Sequence, residues 1–459
     1  MAKAIQKYAH PDYLAHLADY ETVRDCFNGS GAVKGKGATY LPQLKGQSTE
    51  DYDNYRRRAL FFPITGKTVT TMVGLATAKP PKVDAPSGMS AYFKDTETGY
   101  QFTETYVSVF SEITMMGRYG VLIDAPIGGG DPTLCPYIAE NIVNWGFDDA
   151  GQVNMLLLQE YYFVEGDEKF EKKQAKRFRH CFVQGGVYQV EVLDDNMEVT
   201  TAAVTPMFSG RPIDYIPFTP YGATGIHYSV DRPPMLDIAT INVSHYMSSA
   251  DLEWGRHICG LPTPVISGVD SGTKLHIGGT TAWVLPVVEA KAYFMEFQGQ
   301  GLQSLEKSLV EKVGLMASVS ARLIDNSTRG SEAAETVRLR YMSESASLVH
   351  IINSIEMGMV HMYNMLAKLK GEAGSVTILF SREIIGIGIT FKDLATLFEN
   401  YFKGGLSKET LLYNMRRLEA VDPNRSDEDE LAAIRKPDPV LDPNKPPPAA
   451  PTPANPSAT

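Results

Sequence analysis

The sequence predicts an α+β protein, and three observations carry that class. Between Leu302 and Lys370, apolar residues recur at helical spacing over two long segments. From about residue 135 to 220 the chain is rich in Val, Tyr, Phe and Thr, the composition of strands. Helical and strand patterns are segregated along the chain, which excludes a βαβ succession and a parallel sheet.

The helical pair is the strongest of these signals. In its first half Leu302, Leu305, Leu309, Val313, Met316, Val319 and Leu323 form one apolar face, with Glu306, Lys307, Glu311, Lys312 and Arg322 off it. A polar break, Asp325-Asn326-Ser327-Thr328-Arg329-Gly330, follows. Ser331 is a suitable N-cap, with Glu332 in the positive first turn. From there to Lys370 no proline interrupts the chain, and Gly358 is the single interior glycine, at a cost of about 1 kcal/mol. At 1.5 Å per residue that helix is roughly 60 Å long, several times the usual length of about 11–12 residues. Such helices belong to bundles, coiled coils or assembly struts.

The remaining elements follow in order. Gly29 to Gly46 is glycine-rich and reads as a flexible surface loop. Ser48-Thr49-Glu50-Asp51 opens a helical region that must end by Lys79, ahead of Pro80-Pro81. A helix from Thr103 to Met116 places Tyr106, Val109, Phe110 and Ile113 together, and the strand Val121-Leu122-Ile123 follows. Strands are expected over Val153–Val164, Lys176–Gln184, Val187–Leu193 and Val199–Met207, and Gly185-Gly186 is a hairpin turn. After Pro233-Pro234 a helix carries Leu236, Ala239, Val243, Tyr246, Met247, Ala250 and Trp254 to an end near Gly260-Leu261-Pro262. Short strands return at Pro264–Ile266, Trp283–Leu285 and Tyr293–Met295. Beyond the long helices come a strand at Val376–Phe380, the Ile384–Ile389 run, and helices over Leu394–Phe402 and from Ser407 to about Leu418. The last 23 residues hold nine prolines and predict a disordered or polyproline extension.

Composition excludes several function classes. At 459 residues the chain exceeds one core and predicts two or more lobes. The net charge of −11, from 54 acidic and 43 basic residues, is the wrong sign for a protein that grips DNA through phosphate neutralisation. Cys26, Cys135, Cys181 and Cys259 lie far apart with no metal-ligand spacing and read as reduced thiols. The first residues contain no signal-peptide apolar stretch, and no run approaches the ~18 apolar residues of a membrane span. A soluble, non-secreted protein is expected.

Candidate chemistry is sparse. Gly66-Lys67-Thr68 resembles the end of a phosphate-binding loop, but Phe61 stands where the first glycine belongs. Gly268 to Lys274 fails in the same way at Thr273. His350 and His361 lie eleven residues apart on one helix, roughly 16 Å, too far to share a metal. His257 and Cys259 have no further ligand nearby. The acidic pairs Asp148-Asp149 and Asp194-Asp195 and the run Asp427–Glu430 read as solvated turns. No catalytic, cofactor or metal residue is therefore assigned. The methionines Met342, Met357, Met359, Met362 and Met365 suit core packing or an adaptable subunit interface.

The order of elements, and several stretches of text, resemble the tailed-bacteriophage portal proteins. Pro234-Met235-Leu236-Asp237-Ile238-Ala239 through Tyr246, then Gly260-Leu261-Pro262-Thr263-Pro264-Val265-Ile266, is similar to a portal stem entering its clip. Gly299-Gln300-Gly301-Leu302 and Met316–Leu323 resemble the returning stem helix, and Ser331–Thr336 with Arg338, Glu344 and Ser345 the segment after the tunnel loop. Asp51-x-Tyr-x-x-Tyr-Arg-x-Arg and Ala78-Lys79-Pro80-Pro81 resemble a portal-like phage family first catalogued as a domain of unknown function. The resemblance spans about residues 10 to 420.

It implies a portal-type fold with a helical and β wing over 1–234, stem helices at 235–259 and 299–324, and a small β clip at 260–298. A tunnel loop at 325–330, a long wing helix and strand at 331–390, a small helical crown at 391–436 and the Pro-rich tail at 437–459 complete it. It implies a non-enzymatic ring, a homododecamer at one capsid vertex of the virion, assembled in the host cytoplasm. Double-stranded DNA passes through it for packaging and ejection. Its partners are further copies of itself, the terminase large subunit, the head–tail adaptor, and the major capsid and scaffolding proteins; no cofactor is needed. Asp325, Asn326, Ser327, Thr328 and Arg329 then line the DNA channel, and Asp270, Lys274 and His276 dock partners at the clip. Leu309, Val313, Met316, Met357 and Met362 are expected at the subunit interface. Two other classes fit the same element order. One is an enzyme with a β-rich substrate domain and a helical partner domain; the other is a different head–tail connector or minor capsid protein.

Overall fold

The computed structural model describes residues 7–94, 102–125, 130–166, 170–260, 263–268, 289, 291–295, 299–324, 334–382, 397–401, 403–405, 407–417 and 428–429. The expected strand Trp283–Leu285, the cap at Ser331, the Ile384–Ile389 run and the tail lie outside these residues. The chain divides into two units, 1–384 and 385–459. The class is α+β, as the sequence predicts.

The first unit opens with α1 (Pro11–Asn28), whose N-terminus is closed by His10: its Nδ1 accepts from Asp12 N at 3.2 Å, and Pro11 starts the helix. Then come α2 (Ser30–Gly35) and a 3₁₀ turn at Gly37–Thr39. The glycine-rich stretch is thus ordered, against expectation. Val33, Tyr40 and Leu41 anchor it by burial, and Tyr40 donates its hydroxyl proton to Asp25 at 2.7 Å. Two helices, α3 (Thr49–Arg58) and α4 (Ile64–Ala76), fill the next region. Ser48 caps the first by accepting from Asp51 N at 3.1 Å, and Pro63 separates them.

Strand β1 (Lys82–Asp84) and α5 (Phe102–Met116) lead into β2 (Arg118–Asp124), β3 (Thr133–Ile138) and β4 (Ile142–Phe147). Four longer or exposed strands follow: β5 (Val153–Glu165), β6 (Lys172–Gln184), β7 (Val187–Leu193) and β8 (Val199–Val204). Then come β9 (Phe218–Gly222), α6 (Leu236–Cys259), β10 (Thr263–Ser267), β11 (Lys291–Met295), α7 (Gln300–Ile324), α8 (Ala334–Lys370) and β12 (Thr377–Leu379).

Among the described residues every sheet is antiparallel. Strands β4 to β8 form a five-stranded sheet in sequence order, because each strand returns through a short turn. Gly185 and Gly186 make the β6–β7 turn with φ of 61° and 75°, the left-handed pair a two-residue hairpin requires. The order β3-β2-β9 makes a second sheet, and β1 pairs with β12 across most of the chain.

The core lies where α8 crosses β9 and α5. Leu348, Ile352, Ile355, Met359, Met362, Tyr363 and Leu366 are buried at helical spacing. Gly358 is required rather than merely tolerated: a Cβ there would sit 2.5 Å from the Tyr221 ring. Ser354 donates to the Gly222 carbonyl at 2.7 Å, tying helix to strand. In the second unit α9 (Lys408–Arg417) is capped by Ser407, which accepts from Thr410 N at 3.1 Å, and buries Leu411 and Leu412.

Candidate assembly and channel segment

Helices α6 and α7 form an antiparallel pair. Gly255 meets Leu302 while Ser248 and Ser244 meet Lys312 ten residues further on, so position falls along α6 as it rises along α7, and Arg256 donates to Glu306 across the pair. Gly255 permits the close approach, since a Cβ there would lie 2.5 Å from Leu302 Cδ2. The two helices are joined by the β10–β11 hairpin, in register from Thr263↔Met295 to Ser267↔Lys291. After α7 the chain reaches α8, a single helix of 37 residues.

The pair is anchored on α4. Buried Asn242 accepts from Thr65 N and Oγ1 at 3.3 and 3.0 Å and donates to the Phe62 carbonyl at 2.9 Å. Leu60 N donates to Ser249 Oγ at 3.2 Å. The bond from Thr65 N satisfies a first-turn donor of α4 that has no helical partner of its own, and the bonds to Phe62 O and from Leu60 N hold the segment leading into that helix. His245, next to this clamp, has its pKa lowered by burial and by the charge of Lys312.

The faces of α7 differ from the expected ones by one position. Lys312 lies on the packed side, where its ammonium donates to Ser244 O at 3.0 Å and to Ser248 Oγ at 2.6 Å. Its methylene stem substitutes for an apolar residue while its head finds oxygen acceptors. Val313, expected on the packed face, is 41% exposed instead. Val310 and Leu315 are exposed at 73% and 54%. With Leu60 and Phe62, each about half exposed, and with Leu252 and Leu309, Val310 and Val313 line an apolar groove of about 410 Å³. These side chains make the groove a candidate contact surface.

The other predicted interface residues separate. Met316 and Met362 are fully buried, so they pack in the chain's own core, which corrects their assignment to a subunit surface. The reason is that α7 and α8 both pack against the rest of the first unit, and apolar stripes at helical spacing mark burial without naming the partner. Met357 is 50% exposed, and Leu309 lines the groove. Sequence reasoning missed Leu60, Phe62, Val310 and Leu315. The pair Phe61-Phe62 ahead of Pro63 is the signal that was available: Phe61 turns inward and Phe62 stays half exposed at the groove. Asp325, Asn326, Ser327, Thr328 and Arg329, and the clip residues Asp270, Lys274 and His276, lie outside the described residues.

The weak chemical motifs take structural roles. Gly66-Lys67-Thr68 is inside α4, and a Cβ at Gly66 would lie 2.8 Å from the Phe27 carbonyl oxygen, so the glycine serves helix contact. Asp148 Oδ1 accepts from Ala150 N and Gln152 N at 3.0 and 2.8 Å, and Asp194 Oδ1 from Asn196 N and Glu198 N at 2.8 and 2.9 Å. These carboxylates build turns. Burial pushes the Cys26 and Cys181 thiols up to about 12. Among the described residues, no three His, Cys, Asp or Glu side chains gather to hold a metal, and no helix is long and apolar enough to cross a membrane.

Residues 234–369 match the family described as Domain of unknown function (DUF4055), a span that begins just before α6 and ends in the last turn of α8. No curated protein matches the chain. Among solved structures, a chain of the "Neck of empty GTA particle computed with C6 symmetry" is similar at 13% identity and TM-score 0.40, over 80% of this chain and 92% of that one. A chain of the "Virion of native gene transfer agent (GTA) particle" is similar at 13% identity and TM-score 0.39, over 85% and 99%. A chain of the "Neck of native GTA particle computed with C12 symmetry" gives 13% and 0.39, over 82% and 95%. These likenesses are distant, and the functional reading rests on the chain's own residues.

Proposed function

We propose that the chain is a phage-type portal protein, whose copies close into a ring around a channel for double-stranded DNA. The carrying observation is the antiparallel pair α6 and α7, joined through a small β hairpin and continued by a 37-residue helix, with an apolar groove left open along α7. In this reading α6 and α7 are the stem, the hairpin with residues 269–290 is the clip, and 325–330 is the tunnel loop. Helix α8 is the wing helix, residues 1–234 are the rest of the wing, and 391–436 form a crown. The family match covers residues 234–369, the span to which this reading gives stem, clip, tunnel loop and wing helix.

A groove on one side of a strut forms a heterologous contact, and a heterologous contact that closes generates a ring. Leu309, Val310, Val313 and Met357 are assigned to that contact or its margin. The net charge of −11 suits a conduit, because a phosphate-neutralising wall would hold DNA by counterion release. The ring is taken as a dodecamer at a capsid vertex, with terminase and head–tail adaptor docking at the clip around Asp270, Lys274 and His276, and with capsid and scaffolding proteins around the wing.

The test of the channel assignment is a double substitution, Asn326→Lys with Ser327→Lys. Rings should assemble as before while DNA packaging falls, and the defect should ease as salt rises and the added phosphate contacts weaken. Wild-type packaging by such rings would remove residues 325–330 from the channel.

A further inference from the structure

The five-stranded sheet carries a projecting ribbon. Strand β4 pairs with β5 only as far as Leu158, and β7 pairs with β6 only as far as Phe178. Beyond those points β5 and β6 continue alone, from Glu160↔Arg177 to Glu165↔Lys172, and Gly166 N closes the ribbon on the Glu171 carbonyl at 2.8 Å. Residues 161 to 165 are exposed one after another, so both faces of the ribbon meet solvent. Tyr161 and Phe163 lie on one face at 53% and 69% exposure, Tyr162 and Val164 on the other at 39% and 38%, and Phe170 at the tip is 88% exposed.

The base of the ribbon is clamped. Glu160 accepts from Arg177 Nε at 2.7 Å, Arg179 Nε at 2.8 Å and the Tyr137 hydroxyl at 2.6 Å. The result is a preorganised arm with aromatic surface, and preorganisation lowers the entropy cost of docking. At about 200 Å² per aromatic side chain, the exposed fractions expose on the order of 500 Å². That surface is spread over both faces and the tip, so it is a ring of apolar side chains around the ribbon rather than one flat patch, and exposed apolar surface gathered in this way marks a contact element. A two-stranded ribbon is also marginally stable by itself in water.

The opposite end of the same sheet holds a matching concavity. Between the β4–β5 turn, β9 and α8 runs a cleft of about 920 Å³, walled by Phe147, Tyr215, Tyr228 and Met365. Phe147 stands edge-on to Tyr228 at 5.6 Å and is itself 50% exposed. The cleft lining carries Lys368 as well as Asp148 and Asp214, and the arm carries Glu165 and Glu171 beside Lys172 and Lys173, so both surfaces are of mixed charge and the match between them is aromatic.

Arm and cleft cannot meet within one chain. Gln152 at the cleft and Phe163 on the arm bracket one strand, eleven positions apart, which is about 36 Å in extended chain. We infer that the β5–β6 arm of one copy seats in the aromatic cleft of the next copy, as a second head-to-tail contact of the assembly. This rests on the ring reading above. It makes a separate statement, since the ring can exist without it.

The test is the variant Phe163→Cys with Gln152→Cys in the full chain, oxidised after purification, beside each single variant. Both positions are exposed, so the fold is retained. A disulfide needs Cα atoms within about 7 Å, so one joining these two positions must link two chains. A ladder of covalent multiples up to the full ring, absent from both single variants, is the expected result. Rings seen by imaging with only monomer on the denaturing gel would overturn the arm contact and leave the ring reading standing. Covalent dimers without higher multiples would overturn head-to-tail seating, because a two-fold pair stops at two. A chain that forms no oligomer would overturn both.

Discussion

Replacing Arg24 with methionine should lower folding stability by about 3–5 kcal/mol, the usual cost of removing one partner of a buried ion pair. Arg24 lies on α1 and bonds two carboxylates from different elements. Its Nη1 and Nη2 donate to Glu112 on α5 at 2.7 and 2.8 Å, and its Nε and Nη2 donate to Glu140, just ahead of β4, at 2.7 and 2.8 Å. All three side chains are 20% exposed or less, so solvent screens the contacts little. Without the guanidinium, two half-desolvated carboxylates face each other unpaired. Burial already raises the Glu112 pKa even with Arg24 present. In the variant that rise grows, so the folded state binds a proton that the unfolded chain does not hold above about pH 4.5. Stability of the variant therefore increases as pH falls from 7 toward the unfolded value, and the deficit is largest at neutral pH. Urea unfolding at pH 7 and pH 5 measures both effects. A deficit under about 1 kcal/mol, the size expected of a surface pair, would show that the cluster does not hold the N-terminal helix in place.

The second large effect concerns assembly. Val310→Asp with Val313→Asp should leave a folded monomer that does not form rings. Both side chains are exposed in the chain, at 73% and 41%, so the substitutions cost the fold little. At a closed contact each acid would be buried without a partner, at about 1–3 kcal/mol apiece. The two together weaken each contact by roughly 30-fold to 10⁴-fold. Met316→Asp is the contrasting variant: its side chain is fully buried, so the acid should unfold the chain rather than release it as a monomer. Light scattering and circular dichroism separate the two outcomes. Wild-type assembly of the double aspartate variant would move the subunit contact off α7.

How much of this was legible in the sequence depends on the scale of the signal. The long helices, the strand-rich middle and the Gly185-Gly186 turn all declared themselves, because each rests on a period or a turn residue with a local physical cause. What failed was the identity of the partner for each apolar face. Met316 and Met362 sit on clean helical stripes, yet the same stripe serves a core or an interface. Lys312 and Val313 exchanged faces because a lysine stem packs like an aliphatic chain once Ser244 and Ser248 receive its ammonium. Gly358 read as a small loss of helix propensity, whereas the Tyr221 ring that occupies its vacant side comes from a strand some 137 positions earlier. The same distance in sequence hid the groove. Leu60 and Phe62 meet Val310 only after α4, α6 and α7 have packed, and no local pattern joins them.

The portal reading stands or falls on one observation, the oligomeric state of the purified chain at micromolar concentration under the electron microscope. Closed rings with a central hole wide enough for a DNA duplex are the predicted result. Monomers without rings at every salt concentration tried would contradict it.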